Sequence, residues 1–165
     1  MPTKETIERS KRDKKEGKSA STQAGEFVKA EIDKIRKGEH GARNTKQAIA
    51  IGLSEARRAG VDLKPPKKGK TSEKTRKAAK SAYKKGQNHE PVSHKRSLAS
   101  EKALKREPRN TVSHSALSRQ TRAASKKRSA KDRSEAAKKA AKTKGPAERK
   151  AAAQKAARTR ARKKS

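Results

Sequence analysis

The chain contains no cysteine, which excludes disulfide bonds, thiolate metal sites and cysteine nucleophiles. Aromatic residues are almost as scarce, since its 165 residues include one Phe, one Tyr and no Trp. Only 27% of the residues are hydrophobic, and many of these are alanines. Because ordering each residue costs roughly 1 to 2 kcal/mol of backbone entropy, this composition predicts that a core of ordinary size is out of reach.

Long apolar runs are also missing from the sequence. No run approaches the roughly 18 residues of a membrane span. Residues 1–15 have neither the apolar stretch nor the cleavage site that a secretory signal requires. We therefore expect a soluble, cytoplasmic protein that has no membrane partner.

Acidic residues are few, because 17 Asp and Glu stand against 50 Lys and Arg and leave a formal net charge of +33. Residues 1–63 hold 15 basic and 10 acidic residues, whereas residues 64–165 hold 35 and 7, a net charge of +28. Interspersed signs are typical of a folded helical surface. A run of like charge repels itself and favours an extended chain until a polyanion neutralises it.

The stretch from residue 22 to residue 63 has the periodicity of two amphipathic helices. Apolar residues of the first helix recur at spacings of three and four and so share one face: Ala24, Phe27, Val28, Ile32 and Ile35. Gly38 ends this helix, and the second is predicted to run from the N-cap Asn44 to Gly60. Gly52 inside the second helix indicates close approach of its partner. The pattern predicts an antiparallel hairpin.

We divide the chain into five segments on these grounds. They are a marginal charged helix with its linker at 1–21, the helical hairpin at 22–63, a linker rich in Pro and Lys at 64–72, a short basic helix at 73–86, and a polycationic low-complexity tail at 87–165. The predicted fold class is mostly α, with a small N-terminal helical hairpin followed by a largely disordered tail, rich in Ala, Lys and Arg, that forms transient helices.

The basic segments are the strongest functional signal, because their charge far exceeds what solubility needs. Residues 136–144 return in similar form at 152–160, which favours repeated phosphate-binding units over a single site. In the short basic helix, Tyr83 is the residue that could stack on a base. The predicted nucleic-acid-binding residues are Lys67, Lys68, Lys70, Lys84, Lys85, Lys126, Lys127, Arg128, Lys138, Lys139, Lys142, Arg158, Arg160, Arg162, Lys163 and Lys164.

The loop of the hairpin has two interpretations. Residues 38–41 form a GxxG sequence between helices, the arrangement with which KH domains clamp a nucleic-acid backbone. Arg43 and Lys46 would then contact phosphate at the N-terminus of the second helix. A KH domain also needs a sheet, and no alternating strand pattern is present. The simpler interpretation, which we favour, is a helix C-cap followed by a tight turn.

The residues give no indication of catalysis, a cofactor or a metal site. No nucleophile is placed beside a base, and most acidic residues are within helical reach of Lys or Arg. The four histidines are scattered along the chain without the spacing of a ligand set. We expect a protein that is not an enzyme.

Residues 41–61, with the sequence GARNTKQAIAIGLSEARRAGV, resemble a segment shared by an uncharacterised family of short, highly basic bacterial proteins. Members of that family are sometimes labelled plasmid stabilisation or DNA-binding proteins. The resemblance implies a DNA-binding role and assigns no residue a function. The tail is also similar in composition to the tails of linker histones, although no winged-helix domain precedes it.

The sequence therefore predicts non-catalytic, largely sequence-nonspecific DNA binding by a nucleoid-associated or plasmid-maintenance accessory protein. One alternative is an RNA-binding or ribosome-associated basic chaperone, which would have the same electrostatics. The other is a protein-interaction module localised by its basic tail. The expected partner is DNA, or else RNA, and the apolar face of the hairpin could form a homodimer.

Overall fold

A computed structural model describes residues 2–162 of the chain, apart from the side chains of residues 143 and 144. The described part contains seven α-helices and one short 3-10 helix. The α-helices are α1 (Lys4–Lys15), α2 (Ala20–Arg36), α3 (Thr45–Arg58), α4 (Glu73–Gln87), α5 (His94–Lys105), α6 (His114–Lys126) and α7 (Ala130–Arg162). The 3-10 helix, Asn110–Val112, lies between α5 and α6. The chain divides into two units after Gln120.

The first unit is built on the packing of α2 against α3. One cluster of buried side chains joins the start of α2 to the end of α3 and beyond: Ala24, Phe27, Ala56 and Val61. A second cluster joins Ile35, late in α2, to Ala48, early in α3. The two helices therefore run antiparallel.

Gly52 is the point of closest approach between these helices. A Cβ atom at this position would lie 2.6 Å from the Cα atom of Val28, which is too close for any side chain. The close approach that the sequence indicates at Gly52 is confirmed. With so few large apolar side chains, this core depends on small residues that let the backbones come together.

Helix α1 packs on α2 through polar side chains. Thr6 and Ser10 are buried, and Arg9 Nε lies 2.9 Å from Glu26 Oε2. At the C-terminal end of α1, the carboxylates of Asp13 and Glu16 accept hydrogen bonds from Lys18 and raise its pKa. These contacts hold in place a helix that would be only marginally stable in isolation.

Helix α4 packs on α3 through small residues. Ala79 and Ala82 are buried at 7% and 3% exposure. Gly86 lies directly against the carbonyl oxygen of Arg57, where a Cβ atom would collide with the backbone. Burial of Arg57 lowers the pKa of its guanidinium group, whose Nε donates to the carbonyl oxygen of Leu63 at 3.1 Å.

A later segment of the chain completes the second cluster. Residues 104–112, the docked segment, lie against residues 38–44, the docking loop. The amide of Gly41 donates to the carbonyl oxygen of Leu104 at 2.9 Å, and that of Ala42 to Pro108 at 3.0 Å. Val112 is fully buried beside Ile35. The core therefore includes a residue that lies far outside the hairpin in sequence.

The predicted fold class is wrong in its description of the tail as largely disordered. Residues 87–162 contain α5, the 3-10 helix, α6 and α7. The segment has too little apolar surface to form a core, but helices rich in Ala and Lys form through local propensity and capping, which need no core. Ser129 Oγ, for example, accepts a hydrogen bond from the amide of Asp132 at 3.0 Å in the first turn of α7.

Helix α7, which lies in the second unit, is interrupted once. Gly145 has a φ of 67° and ψ of 172°, and Pro146 follows it. A positive φ is accessible to glycine, and proline is suited to the first turn of a new helical stretch. The two similar segments, residues 136–144 and 152–160, lie on opposite sides of this break. Within residues 2–162, no helix combines the length and the apolar character that crossing a membrane would require.

The close approach at Gly52 can be tested by substitution. We expect Gly52→Ala to lower the free energy of unfolding by about 1 to 3 kcal/mol, because the added methyl group must push α2 and α3 apart. Gly25→Ala is the matched control, since no atom lies within 4 Å of a Cβ there. The control should raise stability by about 0.5 to 1 kcal/mol. Equal effects of the two changes in urea unfolding would contradict the packing.

Candidate nucleic-acid interface

The exposed face of α4 is the clearest cationic surface of the first unit. Its small residues face α3, so the lysines at spacings of three and four lie on the opposite side of the helix. We call these the α4 lysine row: Lys74, Lys77, Lys80 and Lys84, all of them exposed. The one acidic residue of α4, Glu73, accepts a hydrogen bond from Arg76 at 2.9 Å and raises its pKa.

Contacts at both ends fix the orientation of α4. Ser72 caps the helix by accepting a hydrogen bond from the amide of Thr75 at 3.3 Å. Near the other end, Tyr83 donates its phenolic hydroxyl to Asp62 Oδ1 at 2.6 Å, and this bond raises the pKa of Tyr83. The row therefore lies on a helix that is held to α3 and to the chain that follows it.

The predicted contact residues near α4 have different surroundings. Lys67, Lys68 and Lys70 are exposed in the connection before the helix, and Lys84 belongs to the row. Lys85 lies on another side of α4, where its Nζ is 4.0 Å from Glu90 Oε2. The sequence reading missed the other three lysines of the row, although their spacing opposite Ala79 and Ala82 is a signal that could have found them.

The remaining predicted cations lie near or within the second unit. Lys126 ends α6, and Lys127 and Arg128 connect it to α7. The others that the structure describes are exposed on α7: Lys138, Lys139, Lys142, Arg158, Arg160 and Arg162. Lys163 and Lys164 lie outside the described residues. No side chain described on α7 is buried, so its cations are distributed around the helix.

The structure does not fit the KH-like interpretation of the hairpin loop, and it shows the helix C-cap of the simpler interpretation. Gly38 has a φ of 81° and follows the end of α2. The amide of Gly41 is used by Leu104, and the backbone of Glu107 and Pro108 occupies the space beside it. A phosphate group therefore has no access to the backbone of Gly41.

Arg43 and Lys46 remain exposed beside the loop. The guanidinium Nη2 of Arg43 lies 3.6 Å from Glu107 Oε1, and its side chain is 75% exposed. Two amides near the start of α3 are already hydrogen-bonded, since Asn44 Oδ1 accepts from the amide of Gln47 at 2.9 Å and Gln47 Oε1 accepts from the amide of Arg43 at 2.7 Å.

Sequence reasoning also missed a buried polar cluster. Glu31 is 1% exposed and lies beside His40, which is 9% exposed. Both line a cavity of about 1140 Å³ that is bordered by α3 and α5. The signal was the position of Glu31 four residues after Phe27 and four before Ile35, on the buried face of α2. In the part of the chain that the structure describes, no three His, Asp or Glu side chains could together hold a metal ion.

Comparison with known protein families finds a match to part of the chain. Residues 2–68 match a family described as a family of unknown function (DUF6496). The match covers α1, α2, α3 and the start of the connection to α4, which is less than half of the chain. Comparisons with curated proteins and with solved structures give no match. The link to plasmid stabilisation or DNA-binding proteins stays a prediction.

The apolar face of the hairpin is covered within the chain. Ile7 and Ala20 pack against the first cluster, and Val112 belongs to the second. Among residues 2–162, Leu98 is the one large hydrophobic residue with an exposed side chain, at 46%. The homodimer that the sequence suggested through this face stays a prediction, and the structure offers it little apolar surface.

The contact between Tyr83 and Asp62 makes a direct prediction about α4. Asp62→Asn should bring the pKa of Tyr83 down toward its ordinary value of 10.0, because the charged acceptor is lost. In the native chain this bond adds stability that is complete below pH 10.0 and lost as the pH rises through the raised pKa. Tyr83 is the one tyrosine and there is no Trp, so ultraviolet absorbance reports its titration alone.

Glu73→Gln provides the control for this titration, since it removes a carboxylate from the same helix without touching the phenol. The control should leave the pKa of Tyr83 in place. If Asp62→Asn leaves the pKa of Tyr83 at its native value, the bond between Tyr83 and Asp62 does not hold α4 to the α3–α4 connection.

Proposed function

We propose that the protein is a non-catalytic nucleic-acid-binding protein whose ligand is DNA, contacted mainly through phosphate. The observation that carries this proposal is the distribution of the net charge of +33. The first unit, through Gln120, holds 32 basic and 14 acidic residues, and the second holds 18 and 3. Each unit therefore carries a large positive charge of its own, +18 and +15.

Phosphate contacts would be favoured by release of the cations that surround a nucleic acid. The α4 lysine row extends over ten residue steps, about 15 Å of helix. Duplex DNA carries about nine charges over that length. A row without an unpaired carboxylate among its lysines suits this ligand, because each lysine can act as an independent point charge.

The aromatic residues argue against base recognition as the source of affinity. Stacking on bases needs an exposed ring, but Phe27 is 1% exposed, which leaves the partly exposed Tyr83 as the one aromatic residue that could stack. Contacts to phosphate carry no sequence information. The expected activity is therefore largely nonspecific, as in a nucleoid-associated or plasmid-maintenance accessory protein.

The salt dependence of binding tests the proposal. If about ten cations engage phosphates, the logarithm of the binding constant should fall with the logarithm of the salt concentration with a slope of about −9 on duplex DNA. Fluorescence anisotropy with labelled DNA gives this slope. Competition between DNA and a structured RNA at fixed salt shows which ligand is preferred. Preference for RNA would favour the chaperone alternative. Association that persists unchanged in molar salt would overturn the proposal.

The four lysines of the α4 lysine row should contribute more to this slope than four exposed lysines elsewhere in the chain. Replacing its four lysines by Gln should reduce the slope by about 4, since each phosphate contact contributes about one. The control removes the same charge from α1, at four exposed positions: Lys4, Lys11, Lys14 and Lys15. That control should change the slope by less than about 1. Equal effects would show that total charge, and not the row, determines binding.

A further inference from the structure

The buried polar cluster has a hydrogen-bond geometry that depends on one proton. His40 Nδ1 lies 3.1 Å from the carbonyl oxygen of Gly41. A carbonyl oxygen only accepts hydrogen bonds, so Nδ1 must carry a proton to make this bond. On the other side of the ring, His40 Nε2 lies 3.5 Å from Glu31 Oε1.

That second contact is favourable only when another proton lies on one of its two atoms. In a neutral ring protonated at Nδ1, Nε2 has a lone pair, and a lone pair facing an ionised carboxylate is repulsive. The contact is attractive when the ring is an imidazolium ion or when Glu31 is a neutral acid that donates to Nε2. Glu31 Oε1 is buried and accepts no hydrogen bond from any described residue. The pair therefore needs one shared proton.

Charged groups from several elements surround the pair. On α2, Lys34 Nζ lies 3.9 Å from Glu31 Oε2 and 3.9 Å from Glu55 Oε2 of α3. Further charged groups line the same cavity: Glu39 in the docking loop, Arg58 on α3, Arg96 and Glu101 on α5, and Lys85 and Glu90 near the end of α4. Burial and the neighbouring Glu55 raise the pKa of Glu31, while His40, Lys34 and the N-terminal amino group act against that rise. The cavity gives water a route to the pair.

The docking loop that carries His40 is also the attachment point of the docked segment. Gly41 and Ala42 donate their amides to it, and Thr111 donates its hydroxyl to the carbonyl oxygen of Ala42 at 2.9 Å. Thr45 in turn donates to the carbonyl oxygen of Thr111 at 2.7 Å. Helix α5 has no buried residue, so its place depends on this attachment at its C-terminal end.

We propose that His40 and Glu31 form a proton-linked latch, which holds the docking loop on the docked segment while one proton is shared between the two side chains. Loss of this proton leaves a buried carboxylate facing the Nε2 lone pair. His40 must then turn away from Gly41 or from Glu31, and the loop loses the conformation that presents its two amides. Residues 104–108 and α5 are released as the pH rises, while Val112 stays held by Arg36 and by its packing against Ile35.

A distance measurement in the full-length protein tests the latch. The chain has no cysteine, so spin labels can be placed at Lys29→Cys on α2 and Leu98→Cys on α5, both of which are exposed. We expect one narrow distance distribution at low pH that broadens as the pH rises through the raised pKa of Glu31. The ratio of released to docked molecules should rise by up to about tenfold per pH unit, as one linked proton requires. Labels at residues 29 and 46 should keep a constant distance.

Two matched variants separate the latch from general electrostatics. In Glu31→Gln the amide can always donate to His40 Nε2, so the segment should stay docked over the whole pH range. Glu55→Gln removes a carboxylate beside the same Lys34 without touching His40 and should keep the native pH dependence. A native distance that does not change with pH, or equal behaviour of the two variants, would overturn the proposal.

The native chain itself provides a second measurement if Glu31→Gln does not fold. Nitrogen chemical shifts of the His40 ring report which ring atoms are protonated. We expect Nδ1 to stay protonated while the segment is docked and its environment to change together with the release of α5. Loss of the Nδ1 proton at a pH at which the spin-labelled variant with native Glu31 is still docked would contradict the latch.

Discussion

The close packing of α2 against α3 is the constraint on which the first unit depends. Because Gly52 has no side chain, the backbones meet at Val28, and small residues such as Ala24 and Ala56 are buried to 0% exposure. A chain with 27% hydrophobic residues gains its core by shortening distances between backbones, which increases dispersion contacts without large side chains. Helices α1 and α4 then each pack on one member of the pair, and the docked segment closes its looped end.

Small residues also keep the packing face of α4 separate from its charged face. In α4, alanines and a glycine face α3 while lysines occupy the opposite side, so a helix made largely of Ala and Lys can belong to the core and still present cations. In the second unit, α7 has no buried side chain among those described, and its cations are distributed around it. If the protein binds DNA as we propose, the first unit offers an oriented row and the second an unoriented set of charges.

The tail shows where a composition argument fails. Charge repulsion and scarce apolar residues led us to expect disorder after residue 87, yet the helices there rely on alanine propensity and on caps such as Ser129. These are short-range effects that are visible in the sequence. The α4 lysine row differs from the predicted clusters of adjacent cations because its members are spaced by helical turns.

The sequence alone determined the net charge and much of the local structure, because periodicity, the N-cap Asn44 and the glycines 38 and 60 act over a few residues. The tertiary structure decided which distant parts meet. Arg36 donates to the carbonyl oxygen of Val112, 76 residues away, and a segment that we assigned to the tail buries Gly41 and closes the loop. Local patterns contain no information on such pairings, and for that reason the burial of His40 beside Glu31 could be seen only in the folded chain.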